Sequence, residues 1–465
     1  MTLDYIVIGG GPCGILVHKE LSKYKNGILL ESGNFINTET KNVYSSNQLL
    51  DGYQYSGLNV LLGNPPVLLS EGKCIGGGSS VNSSLHHRAP DHIWAKWKIT
   101  YGINDLKNEE IDSLYEEVEA RFNLSRSNNE MPPFYKYASN LYKVEKIPRW
   151  GNQIGDKFYR KTAKDVINQE DPKLFDSIKK NHHVTQIRRI SEHLVLVEGQ
   201  KKEELINSLE NHKINFKYAT KNLFICAGAG HSPSLLSKLG YRHNKLGKFQ
   251  IHPTARISLI PKIKYDFTEI VEPFQITEFF PYLMVGSSAN REYLSRINYP
   301  YRNESNIDFA KCMNLYSMAP SERRGEIRLR RPFKGVRSYF LSNEARGRIK
   351  KGLEIIIDIA RRSKAFKCAY SPAGIIDIEN LDNNFTHRFI NQTINSTLCS
   401  VHIFSSAVAG KHRKLCPLNE DGSVPNMKNV FVLDSSVIPS CPTVNPQATA
   451  CVFALMLVRK FIGSH

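Results

Sequence analysis

The residues Gly9-Gly10-Gly11-Pro12-Cys13-Gly14 place glycines at the first, third and sixth positions of a G-x-G-x-x-G pattern. Gly9 permits a tight turn, Gly11 lets the main chain approach a pyrophosphate, and Gly14 allows a helix to pack closely on a strand. A helix opening after this turn offers unpaired N–H groups and a positive dipole end to phosphates. Glu31 falls where the second strand of such a unit ends, and its carboxylate is suited to accept hydrogen bonds from ribose hydroxyls. This is the chemistry of a dinucleotide site, and the glycines alone do not choose between NAD and FAD. A second constellation, Asn445-Pro446, has the residues of a helix start, asparagine at the N-cap and proline at N1. Among the 15 histidines, His402 stands between apolar neighbours, which by itself describes a satisfied core group.

The elements that would position these residues follow from periodicity. A buried strand is expected over 5–8, a helix over 13–24 and a second strand over 27–31, which together make a β-α-β unit of about 30 residues. Apolar spacing at Ile111, Leu114, Tyr115, Val118 and Phe122 predicts a helix over 108–123. A hairpin is expected over 183–190 and 193–198, and a buried strand over 222–227. Between about 253 and 377 the pattern turns β-rich and aromatic, broken by a helix over 345–362. There Phe274, Phe279, Phe280 and Tyr282 are read as core. The tail returns to a strand over 430–433 and a helix over 446–461, so one unit is expected from both termini around an inserted one.

Composition sets the outer bounds. Of 465 residues, 41% are hydrophobic and 23% charged, which a disordered chain would not be. No apolar run reaches the roughly 18 uncharged residues of a membrane span; the segment 451–457 is short and is closed by Arg459 and Lys460. The N-terminus begins a strand instead of a secretory signal. The nine cysteines contain no Cys-x-x-Cys pair, so they are read as reduced, mostly buried thiols of a cytoplasmic protein, with no metal site. The net charge of +18 is spread along the chain without a basic block, which speaks against nucleic acid. It is read as a solvated basic surface, with an anionic substrate or partner as its functional reading.

A second glycine cluster, Gly72-Lys73-Cys74-Ile75-Gly76-Gly77-Gly78-Ser79-Ser80-Val81-Asn82-Ser83, resembles the flavin-embracing loop of the glucose-methanol-choline (GMC) oxidoreductases. Arg88-Ala89-Pro90 and the pair Trp94 and Trp97 continue the likeness. Ala227-Gly228-Ala229-Gly230-His231-Ser232-Pro233 resembles the second family signature, and Leu246-Gly247 through His252-Pro253 resembles the segment after it. Arg324-Gly325-Glu326-Ile327-Arg328-Leu329 and the stretches 429–439 and 442–450 fall in the family's order, so the resemblance covers nearly the whole chain. There are departures: the second signature is about two residues short after Pro233, and Ser405-Ser406 stands where Gly-Thr is usual.

The resemblance implies an α/β fold, with a discontinuous Rossmann-like FAD-binding domain over 1–130, 175–252 and 395–465. It implies an α+β substrate domain on an antiparallel sheet over 131–174 and 253–394. It carries His402 over as the base that takes the hydroxyl proton of an alcohol while flavin N5 takes the hydride. Asn445 is its partner, orienting the substrate oxygen. The cofactor residues carried over are Gly9, Gly11, Pro12, Gly14, Glu31, Ser32, Lys73, Gly77, Ser79, Ser80, Asn82, Ser83, Val184, Ala227, Gly228, Asp434, Ser435, Asn445, Pro446 and Gln447. Val81 occupies the position where some members attach FAD through histidine, which implies non-covalent FAD. His252-Pro253 is read as a structural turn, and the arginines at 323, 324, 328, 330 and 331 as a solvated face. The expected activity is oxidation of a CH–OH group of a small-molecule alcohol, with oxygen or another acceptor regenerating the cofactor. Three rivals are weighed: a flavin-containing lyase on the same fold, a basic interaction protein on a degenerate scaffold, and a nicotinamide dehydrogenase. The flavin-type C-terminal half argues against the last.

Overall fold

The computed structural model describes residues 2–36, 46–103, 106–126, 130–154, 157–168, 172–203, 212–262, 273–287, 312–380, 382–396 and 398–464. Strand Thr2–Ile8 is buried on both faces along Tyr5-Ile6-Val7-Ile8, as an internal parallel strand must be. It pairs in parallel with Gly27–Leu30 on one side and with the end of His212–Ile225 on the other. Antiparallel strands His182–Ser191 and Leu194–Glu203 widen the sheet. Met427–Val432 joins it in parallel beside Leu223, Phe224 and Ile225. Both ends of the chain thus build one eight-stranded sheet.

Helix Pro12–Ser22 crosses between the first two strands, and the last helix, Gln447–Ser464, packs against it. That last helix exceeds its sequence expectation: with Arg459 and Lys460 included, its 18 residues have a mean hydropathy of 1.2, long and apolar enough to cross a membrane. Here 67% of it is buried inside the protein, with Val452, Leu455 and Leu457 in the core. Trp94 stacks on Phe453 at 5.1 Å between ring centroids. Trp97 donates from Nε1 to Ser440 Oγ at 2.9 Å, tying helix Asp91–Tyr101 to the C-terminal segment.

The second large sheet has ten strands and is mostly antiparallel. At its centre, Thr254–Pro261 alternates: Ala255, Ile257 and Leu259 pack into a core with Ile349, Leu353 and Ile356 of helix Asn343–Arg362, while Thr254, Arg256 and Ser258 lie on the opposite face. The aromatic segment divides into strands Phe274–Ile276 and Met284–Ser287. Phe274 is core, but Phe280 and Tyr282 are 37% and 63% exposed, because they fall on the turn between the strands. The two cores do not follow the expected domain segments everywhere. Leu61, Val67 and Leu69 belong to the second core, and Val166 and Ile167 to the first.

Two strand pairings fix the segment that carries His402. Leu398–Ser400 sets Cys399 opposite Thr254, and Ile403–Phe404 sets Ile403 opposite Ile251. The chain 251–254 therefore runs antiparallel to 399–403, a register that puts His252 opposite His402.

Candidate functional site

A cavity of about 430 Å³ runs from the first glycine turn to the face of the second sheet. At the nucleotide end, Gly9 has φ +109° and a Cβ there would lie 2.2 Å from the Cys226 carbonyl oxygen. A Cβ on Gly14 would lie 1.9 Å from the Gly9 carbonyl oxygen. Both glycines are demanded by the fold itself. Gly11 differs: its φ of −77° and ψ of 178° suit any residue, and a Cβ would meet nothing within 4 Å. The space beside it is cavity, so the residue is fitted to an occupant and not to the chain. That is the cradle a dinucleotide needs. The second glycine loop is laid on the first, with Gly76 N donating to the Gly10 carbonyl at 2.7 Å.

Glu31 is held by three donors: Gly10 N at 2.7 Å on Oε2, Gly33 N at 2.7 Å and Ser32 Oγ at 3.2 Å on Oε1. Burial pushes its carboxyl pKa up, while these hydrogen bonds and the Lys73 charge oppose the shift. Asp434, just after strand Met427–Val432, is held in the same manner. It accepts from Gly228 N at 2.8 Å, Ser232 Oγ at 2.6 Å and Ser436 N at 2.8 Å, and burial again raises it.

At the other end stands His402. Its Nδ1 lies 2.9 Å from His252 Nδ1, and His252 Nε2 lies 3.1 Å from Cys441 Sγ. The Nε2 of His402 has no partner among the described residues, and the ring forms part of the cavity wall. Burial, helped by the nearby His87, pushes His402 down to about 3, so the ring is neutral near pH 7. Burial, with the neighbouring His402, likewise holds His252 well below its usual value, and burial pushes the Cys441 thiol up to about 12. Only one proton can lie between the facing Nδ1 atoms. If His402 donates it, His402 Nε2 carries a free lone pair toward the cavity.

Asn445 lies in the wall as well, with Nδ2 donating to the Leu85 carbonyl at 3.3 Å. The expected capping geometry is corrected here: the last helix begins at Gln447, and the Pro446 carbonyl accepts its first bond from Ala450 N at 2.8 Å. Pro446 is thus the N-cap and Asn445 lies one residue outside. One N–H of its amide is spent on Leu85, which leaves the second N–H and Oδ1. Asn82 Nδ2 donates to Gln447 Oε1 at 2.5 Å, and Gln447 Nε2 is buried with no partner among the described residues.

Of the residues singled out in the sequence, the cavity brings together Gly9, Gly11, Pro12, Glu31, Ser32, Lys73, Gly77, Asn82, Ser83, Val184, Ala227, Gly228, His402, Asp434, Ser435, Asn445, Pro446 and Gln447. Val81 is also in the wall. Gly14, Ser79 and Ser80 are not. Gly14 sits beneath Gly9, Ser79 Oγ donates to the Gly76 carbonyl and accepts from Ala163 N, and Ser80 Oγ donates to the Ile75 carbonyl. These serines shape the loop from within. His252 was missed by sequence reasoning as a turn; strand register between distant segments is what reveals it. Arg256 and Tyr316 were missed too, though the polar alternation of Thr254, Arg256 and Ser258 was a usable signal.

Comparison with known proteins agrees with this fold. Residues 3–254 and 320–454 match the N- and C-terminal family models of the GMC oxidoreductases. A GMC-type oxidoreductase of Sinorhizobium fredii is 24% identical over 100% of this chain and 95% of its own length. The long-chain-alcohol oxidase FAO4B of Arabidopsis thaliana is 21% identical over 99% of this chain and 67% of its own. The crystal structure of pyridoxine 4-oxidase from Mesorbium loti superposes with a TM-score of 0.74 over 100% of both chains at 14% identity, a likeness of fold.

Proposed function

Because the chain belongs to the GMC oxidoreductase family, whose members bind FAD and include alcohol oxidases, we propose that it oxidises a CH–OH group of a small molecule with His402 as the base. The observation that carries this reading is His402, set by its Nδ1 contact to His252 in the wall of a cavity whose far end is the glycine cradle. Gly9, Gly11 and Pro12 would hold the pyrophosphate, Glu31 the adenosine ribose, and Val184 the adenine. Asn82, Asp434 and the start of the last helix would line the flavin. When bound there, FAD supplies the hydride acceptor at N5. Val81 offers no nucleophile, which supports non-covalent attachment.

The protein's own part is proton transfer and orientation. His402 takes the hydroxyl proton on Nε2, and its retained Nδ1–H is then charge-assisted toward the His252 lone pair. His252 is thus a positioning residue: it selects the tautomer that leaves Nε2 basic. A pKa held far below the usual histidine range makes the free base abundant but weak, and the ring must gain basicity as negative charge develops on the substrate oxygen. The second N–H of Asn445 Nδ2, beyond the one given to Leu85, is available to donate to the substrate oxygen. Helix Gln447–Ser464 directs its positive end at the same region, where it favours negative charge.

The test is an anaerobic absorption titration of FAD-loaded protein against alcohols, sugars and amino alcohols. Bleaching of the oxidised-flavin bands by an alcohol, lost in His402→Ala, is the expected result; readmitting air then separates oxidase from dehydrogenase. Product formed with no bleaching would instead establish the lyase alternative.

A further inference from the structure

The wall of the cavity facing away from the glycine cradle is built by the second sheet, where Arg256 and Tyr316 are cross-strand neighbours and both reach the cavity. Among the described residues Arg256 has no hydrogen bond and no carboxylate at ion-pair distance, and its Nε is buried without a partner. Other arginines nearby are engaged. Arg324 donates to the carbonyls of Lys248, Ser405 and Pro439, and Arg337 to Glu71 and the Gly230 carbonyl. A guanidinium left bare in a cavity is costly unless an acceptor arrives from outside.

Tyr316 adds a second donor. Its hydroxyl oxygen accepts from Gln275 Nε2 at 2.7 Å, and Gln275 Oε1 lies 3.0 Å from His87 Nε2. The amide's oxygen can only accept, so His87 donates, and the chain of bonds ends with the phenolic proton unspent. No acceptor for that proton exists among the described residues. Burial pushes the Tyr316 hydroxyl above its ordinary pKa, so it stays protonated. The wall therefore presents a cation and an O–H donor side by side, with no acceptor for either among the described residues. The complementary group is an anion with planar paired oxygens, which the guanidinium fork fits in bidentate fashion.

Taking the alcohol-oxidising reading above as its premise, we propose that the substrate is an alcohol bearing a carboxylate, seated with the carboxylate on Arg256 and Tyr316 and the carbinol at His402. Arg256 stands four residue steps along the extended chain from His252, the neighbour of His402, a main-chain separation of about 13 Å. The two seats are thus set apart, which suits a hydroxy acid with a spacer between its groups and not a 2-hydroxy acid. A net charge of +18 would draw such anions toward the protein.

The experiment uses FAD-loaded protein and two readouts. Binding of unreactive benzoate is followed by perturbation of the flavin spectrum. Anaerobic bleaching is compared for 4-(hydroxymethyl)benzoate and its methyl ester, with phenyl phosphate as a competing binder. Wild type is expected to bind benzoate and to prefer the acid over the ester. Arg256→Met is expected to weaken benzoate by about 10- to 100-fold and to collapse the acid-to-ester ratio. Arg256→Lys should recover part of both, and Tyr316→Phe should cost less; these two variants carry the comparison if Arg256→Met fails to hold FAD. Benzoate affinity equal in wild type and Arg256 variants, or an ester preferred over its acid, overturns the proposal. Phenyl phosphate binding more tightly than benzoate overturns the choice of carboxylate. Arg256-dependent benzoate binding with no bleaching by any alcohol would keep the anion seat and sink the oxidation reading. Bleaching by neutral alcohols with Arg256-independent benzoate would do the reverse.

Discussion

Replacing Gly11 and Gly14 in turn by alanine separates what the fold requires from what the cofactor requires. At Gly14 the new methyl would stand 1.9 Å from the Gly9 carbonyl oxygen and 3.1 Å from Cys226 Cβ. The obstacle is backbone, so helix Pro12–Ser22 must lift from its strand, a strain of about 3 kcal/mol. At Gly11 the methyl meets nothing within 4 Å, and the backbone is already in a conformation open to alanine. Loss of glycine's freedom in the unfolded chain gains about 0.4–1 kcal/mol. Alanine is a poorer N-cap than glycine by a similar amount, so the net change in apoprotein stability is within about 0.5 kcal/mol. The methyl does, however, enter the space assigned to the pyrophosphate, and FAD affinity should fall at least about tenfold, or 1.4 kcal/mol. Urea unfolding of apoprotein and titration of flavin fluorescence report the two quantities independently. Gly11→Ala that binds FAD like wild type would refute the assignment of this space, and Gly11→Ala as unstable as Gly14→Ala would refute the packing argument.

His252→Leu removes the acceptor for the Nδ1–H of His402. Flavin reduction should slow about 100-fold at retained FAD content, with a displaced acid limb of kcat/KM, because the base-competent tautomer is no longer selected. Two fully buried histidines make the fold acid-labile: burial holds His18 down to about 4 and His252 well below its ordinary 6.5. The unfolded chain therefore takes up protons first, and stability intact above pH 6.5 is lost as pH falls toward 4, at about 1.4 kcal/mol per pH unit for each ring. Urea midpoints between pH 7 and pH 5 should fall accordingly, and less steeply in His18→Gln. Arg337→Met strands the buried carboxylate of Glu71, and unfolding experiments should show a loss of about 3–5 kcal/mol, much of it restored by adding Glu71→Met.

How far this site was legible in the sequence depended on whether its parts are local. The glycine turn, the strand ending before Glu31 and the helix from Pro12 are written in adjacent residues, and the structure holds them within a residue or two of expectation. Glycines 9 and 14 are dictated by contacts inside this same unit, so their spacing was a sound guide. Asn445 was placed one residue off because Asn-Pro can open a helix at either residue, and the first carbonyl bond decides. Ser79 and Ser80 were carried over with a loop whose inner and outer residues look alike in sequence. His252 and Arg256 owe their places to strand pairings across about 150 and 60 residues respectively, Ile251 with Ile403 and Arg256 with Tyr316, which no local pattern records. Phe280 and Tyr282 were misread as core since an aromatic run does not disclose the turn within it.

The central claim is that this cavity couples removal of a hydroxyl proton at His402 to oxidation of the same carbon. Anaerobic single-turnover reduction of FAD-loaded protein by an alcohol and its carbinol-deuterated form, in wild type and His402→Ala, tests it most directly. The account predicts flavin bleaching that slows with deuterium and falls about 100-fold or more in the variant. Bleaching at an unchanged rate in His402→Ala, or conversion of the alcohol with the flavin spectrum unaltered, would contradict it.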